Sequence, residues 1–171
     1  MGLKNINDLN YNRFDEESEK NVPIEHYKIH EGKMFNIFGN ITLSNDETKI
    51  FSCHTDNVEI HFTFFMHCTD DFTLSFYEDS NITNGTIIPS INNNRVKNIP
   101  SSVTIYEDPT VNNFGTKLFE VSLYGSQAIN PSTTRYNEFV LKPDTIYTFV
   151  ITSGANGTKI FYKFDWYEDE E

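Results

Sequence analysis

Short apolar runs with a two-residue period, separated by turn residues rather than by helical stretches, restrict this chain more than any other feature. Val58, Ile60, Phe62 and Phe64 fall on one side of an extended chain, and Glu59, His61 and Thr63 on the other. That alternation is the mark of a half-buried antiparallel strand. Phe72, Leu74 and Phe76 repeat it, as do Val103 and Ile105, then Phe119, Val121 and Leu123, then Phe139 and Leu141, then Ile146 and Val150. The last run, Ile160, Tyr162, Phe164 and Trp166, is aromatic on its inner side. Turn signals at Asn57, Asp70-Asp71, Asn84-Gly85, Asp108-Pro109, Pro143-Asp144 and Asn156-Gly157 separate the runs. The pattern predicts an all-β fold, an antiparallel β-sandwich of jelly-roll or immunoglobulin-like type with about nine or ten strands, over residues 24–171. Asn156-Gly157 reads as the clearest hairpin turn.

A chain of 171 residues is one ordinary domain, and fifteen Phe with nine Tyr supply a core that needs no disulfide. Cys53 and Cys68 are too far apart to meet within a hairpin turning at Asn57. Nor do Cys53, His54, His67 and Cys68 form a zinc site, because neighbours in a strand point to opposite faces.

Residues 1–23 show neither period and are rich in Asn and Glu, so an extended N-terminal arm is expected there. Residues 14–21 have the makings of two helical turns without an apolar stripe to bury. If the arm docks on a partner, Ile6, Leu9, Tyr11 and Phe14 are the side chains available to anchor it.

A net charge of −12 argues against nucleic acid or an anionic membrane face as partner. No run approaches the roughly eighteen apolar residues that span a bilayer, and the first residues lack a secretory apolar stretch. The chain therefore reads as a cytosol-made product. Four Asn-x-Ser/Thr triplets, at Asn40, Asn81, Asn84 and Asn156, are what a chain so rich in Asn supplies by chance.

One phrase occurs twice. Tyr77-Glu78-Asp79 leads to Asn84-Gly85-Thr86, and about thirty residues later Tyr106-Glu107-Asp108 leads to Asn113-Phe114-Gly115-Thr116. Each copy reads as a hairpin, and between them lies the polar knot Asn92-Asn93-Asn94-Arg95. Paired carboxylates suggest a glycosidase, yet acids at strand ends beside turns ordinarily face water. Asp79, Asn81 and Asn84 with Gly85 resemble a calcium loop, but the bidentate Glu at position twelve is replaced by Ser90. Two readings stand for Arg95: a structural polar lock in which, presented by the loop of Asn94, it bridges Glu78 or Glu107, or an exposed loop arginine that contributes little. No nucleophile stands with a base, the five histidines show no ligand spacing, and no Gly-rich phosphate loop occurs, so neither enzyme nor cofactor is expected.

Several phrases in one order resemble a family of tailed-bacteriophage virion proteins, the capsid decoration or auxiliary head proteins. They are Ile29-His30-Glu31-Gly32 followed by Phe35, the two Tyr-Glu-Asp and Gly-Thr phrases, the Asn92–Arg95 knot, Val140-Leu141-Lys142-Pro143-Asp144-Thr145-x-Tyr147-x-Phe149, and Asp165-Trp166-Tyr167-Glu168. The resemblance spans residues 29–168 and departs at Phe64-Phe65 and His67-Cys68, where members have smaller residues. It implies a non-enzymatic homotrimer on the outer surface of a phage capsid, made in the bacterial host and contacting other virion proteins. The alternative it leaves is a head-fibre, collar or tail attachment module, with host glycans as ligand and Tyr124 to Gln127 as their platform.

Overall fold

A computed structural model describes residues 23–97, 99–129 and 138–169 of the chain. The expected arm, its short helix at 14–21 and its anchors Ile6, Leu9, Tyr11 and Phe14 lie outside the described residues.

The first described element corrects the expectation that strands begin straight after Pro23. Residues Ile24–Glu31 form a helix, α1. Its signals are local: Pro23 precedes the first turn, Glu25 sits near its positive end, and Lys28 and His30 sit near its negative end. Gly32, at φ 81°, ends it in the left-handed conformation, donating to the Ile29 carbonyl while Lys33 donates to that of Lys28.

The strands are β1 (Met34–Leu43), β2 (Thr48–Thr55), β3 (Glu59–Cys68), β4 (Phe72–Glu78), β5 (Asn81–Thr83), β6 (Thr86–Ile88) and β7 (Ile91–Asn92), followed by β8 (Val103–Glu107), β9 (Thr110–Asn113), β10 (Thr116–Leu123), β11 (Ala128–Ile129), β12 (Phe139–Leu141), β13 (Ile146–Ser153) and β14 (Thr158–Asp169). Short strands raise the count above the nine or ten expected. Two antiparallel sheets pack as a sandwich. One runs β11-β3-β14-β1-β7, with β12 also on β3, and the other runs β10-β4-β13-β2-β8-β6.

From β1 to β4, and again from β12 to β14, every step along the chain changes sheet. That is jelly-roll winding, and it decides against the immunoglobulin-like alternative, in which hairpins stay within a sheet. It also corrects two turn readings. The links at Asn57 and at Asn156-Gly157 carry the chain from one sheet to the other instead of closing hairpins. Gly157 still takes the left-handed conformation its turn requires, at φ 80°.

The inner faces follow the sequence pattern closely. Ile60, Phe62 and Phe64 are buried, as are Phe72, Leu74 and Phe76, Val103 and Ile105, and Ile160, Tyr162, Phe164 and Trp166. On β13 the phase is one residue from that expected. Tyr147, Phe149 and Ile151 fill the core, and Ile146 and Val150 face outward, half-buried. Both phases of that strand are apolar, so alternation alone could not choose between them. Phe149 is the hub across the sandwich, stacked on Phe76 at 4.2 Å and Phe164 at 4.9 Å between ring centres, and touching Phe62 and Phe64. Cys53 on β2 and Cys68 on β3 are free, buried thiols in opposite sheets.

Candidate functional site

The doubled phrase does not form two hairpins. Copy one is β4, β5 and β6; copy two is β8, β9 and β10. Neither folds on itself: β4 pairs with β10, β6 with β8, and β5 with β9. The copies are interlocked about an approximate two-fold relation, and the register repeats it. Thr86 of the first Gly-Thr faces Glu107, Thr116 of the second faces Glu78, and the following residues face Tyr106 and Tyr77. The extra residue of the second copy emerges as a bulge, since Asn81 opposes Asn113 but Ile82 opposes Val111. The leftover Asn112 donates to the Asn81 side chain at 2.9 Å.

The glycines make the interlock close. A Cβ on Gly115 would stand 2.2 Å from the Glu78 carbonyl oxygen, and one on Gly85 3.1 Å from Pro109. Gly115 is therefore required because the other copy's strand end lies against it, and Gly85 by its φ of 107° with Pro109 close beside it. Between the copies, β13 and β2 form the centre of the sheet. One row of register crosses it as Lys117, Tyr77, Thr148, Ser52, Tyr106 and Ile87, with a buried Ser52–Thr148 hydroxyl contact of 2.8 Å at the middle.

Glu78 and Glu107 continue the inward-facing phase of their strands, and such a carboxylate at the mouth of an apolar core requires a partner. Arg95 supplies neither, which corrects the expected lock. Lys142 donates to Glu78 Oε1 at 2.7 Å and the Tyr147 hydroxyl to Oε2 at 3.0 Å. These bonds, Lys142 foremost, hold the Glu78 carboxyl below the ordinary range against the opposing effect of burial. Burial, with the facing carboxylate, pushes the Tyr147 phenol up. Lys49 bridges Glu107 and Asp108, each at 2.6 Å. Burial would lower its ammonium pKa, but Asp108 and Glu107 together outweigh that and raise it.

Arg95 is exposed and makes no ion pair among the described residues; its loop is tied elsewhere. Asn92 donates to the carbonyls of Gly32 and Ile99 at 2.8 and 3.0 Å and accepts from the Asn94 amide. Asn94 accepts from the amides of Val96 and Lys97 and donates to the His30 carbonyl. The polar knot does lock, but against the end of α1, because β7 crosses to pair with β1 in the other sheet. From the closing phrase, Trp166 fills the core and donates to Ser101, while Glu168 accepts from Ser101 at 2.7 Å and the Ser102 amide at 2.8 Å.

Two clefts border the interlocked copies. One, of about 350 Å³, runs between β6 and the 92–104 loop over Phe35, lined also by Ile87, Ile99, Arg95 and Lys97. The other, of about 300 Å³, lies between β5 and the central strands, at His54, Ile146 and Tyr106. Sequence reasoning missed Lys49, Lys142, Tyr147 and Asn92 as the working partners. Three of them stood inside quoted phrases, but nothing in a sequence says which carboxylate a lysine will reach.

No family model matches the chain, and no curated protein matches it. Among the described residues no three His, Cys, Asp or Glu side chains are placed to hold a metal ion, and no helix is long and apolar enough to cross a membrane. Among the described residues, Glu78, Glu107 and Asp108 of the doubled phrase are held by Lys142, Tyr147 and Lys49, and the Asn92 and Asn94 amides of the knot bond to backbone groups at the end of α1 and within their own loop.

Proposed function

We propose that the protein is a non-enzymatic virion structural protein, a capsid decoration protein that binds the outer surface of a phage head as a homotrimer. One observation carries the reading. The phrases by which the chain resembles that family are the phrases that hold its fold. Ile29–Gly32 closes α1, the Tyr-Glu-Asp and Gly-Thr copies interlock, Lys142 and Tyr147 hold Glu78, and Glu168 pins residues 101 and 102. A sandwich whose characteristic residues serve rigidity suits a clamp between coat subunits better than a catalyst. Its net charge of −12 suits a part that must not bind packaged DNA.

Adding purified protein to heads that lack it, and locating it by electron microscopy, tests the proposal. Regular trimeric density on the head surface is expected, and density confined to the collar or tail would overturn it. That second outcome belongs to an attachment module, favoured by one feature, the 71% exposure of Tyr124 at the open Gly125 turn. Glycan-array binding abolished by Tyr124→Ala would establish that reading instead.

A further inference from the structure

The cleft over Phe35 combines two properties. From Ser80 to Tyr106 the chain has no acidic residue, the longest such run in the sequence, and it carries Arg95 and Lys97. The same stretch exposes large apolar side chains: Val96 is 95% exposed, Ile87 59% and Ile99 44%. Ile87 and Ile99 line the cleft with both cations. A groove that combines two cations with exposed isoleucines on so acidic a molecule selects an acidic segment with apolar anchors.

We infer that this groove receives residues 11–19 of its own chain. Tyr11 and Phe14 supply apolar anchors, and Asp15, Glu16, Glu17 and Glu19 outweigh Arg13 to give the segment a net charge opposite to Arg95 and Lys97. The reach is short. The C-terminal end of α1 abuts the groove, since Lys97 donates to the Glu31 carbonyl and Asn94 to that of His30. Eight helical residues span on the order of 12 Å. A chain running back from Pro23 can cover that distance in about four extended residues, so residues 11–19 have the length to reach the groove. A tether this short gives an effective concentration on the order of millimolar. Its own groove therefore competes favourably with that of a second copy at ordinary protein concentrations. The inference stands apart from the virion reading and holds whatever the assembled partner is.

The test is ¹⁵N relaxation on the full-length protein at low salt, about 50 mM, where attraction across the groove is weakly screened. Backbone amides of residues 11–19 are expected to show restricted motion. Restriction should be lost in the Arg95→Glu/Lys97→Glu variant and in the milder Arg95→Glu, with the sandwich resonances unmoved. It should return when Asp15→Lys, Glu16→Lys and Glu17→Lys are added to the double variant. Free motion of residues 11–19 in the native protein, or restriction that survives the double variant, would overturn the inference. So would restriction that vanishes on dilution together with a dimer seen by sedimentation, which assigns the groove to a second copy.

Discussion

Replacing Gly115 with alanine isolates the interlock of the two copies, because the chain contains its own control. Gly115 and Gly125 have nearly the same positive φ, 74° and 71°. An alanine at either meets the same left-handed penalty, about 1–2 kcal/mol. They differ in what the new methyl would touch. At Gly125 nothing lies within 4 Å, whereas at Gly115 the Cβ would stand 2.2 Å from the Glu78 carbonyl oxygen and 2.5 Å from that of Asp79. Those obstacles are backbone atoms of the opposing copy, where β4 pairs with β10, and they cannot rotate away. Relieving the clash must shift that pairing, a further cost of about 1–3 kcal/mol by analogy with overpacked cores. For a chain of this size each kcal/mol moves the melting temperature by about 2–4 °C. Gly125→Ala should therefore lower Tm by about 2–8 °C. Gly115→Ala should lower it by roughly 4–20 °C, with the excess over its control about 2–12 °C. Thermal melts followed by near-ultraviolet circular dichroism, with urea titrations for the free energies, give both numbers. If the two variants melt together, the interlock is not as close as described and the reasoning fails.

Other consequences follow from particular contacts. Because the folded Glu78 carboxyl lies below its unfolded value, its contribution is present above the unfolded pKa and lost as pH falls through the folded one. The Tm gap between native protein and Lys142→Met should accordingly be open at pH 7 and narrow in acid; a gap unchanged down to pH 3 would remove Lys142 as the partner. Asn92→Ala strips partners from two carbonyls and an amide at a buried position and should cost about 2–3 kcal/mol in urea unfolding. Arg95→Ala, at an exposed residue without an ion pair among the described residues, should change stability by less than about 0.5 kcal/mol, and a larger loss would revive the Arg95 lock. Burial pushes the Cys53 thiol up to about 12 and raises that of Cys68, so a thiol reagent should label neither in native protein and both in denaturant. Fast labelling of either in the folded state would contradict their burial.

The period-two pattern by itself determined the fold class and most of the core, because burial of one face of a strand is written in every second residue. It could not determine the phase of β13, where Ile146 and Val150 are as apolar as Tyr147 and Phe149. Nor could it say which strands are partners. Asn-Gly and Asp-Asn turns look alike whether the chain returns to the same sheet or crosses to the other, so jelly-roll winding was invisible locally. The end of α1 is marked locally at Gly32, but a helix of eight residues without an apolar stripe leaves no periodic signal beside the strands. At the candidate site the sequence identified the doubled phrase and its carboxylates but assigned them the nearest arginine. Only the tertiary structure set copy one into copy two, brought Lys142 from the β12–β13 turn to Glu78 and Lys49 from the neighbouring strand β2 to Glu107, and drew Asn92 to α1. The physical reason is range. Periodicity and turn chemistry act over a few residues, whereas partner choice depends on which sheet edge arrives beside which, and that is fixed by packing of the whole core.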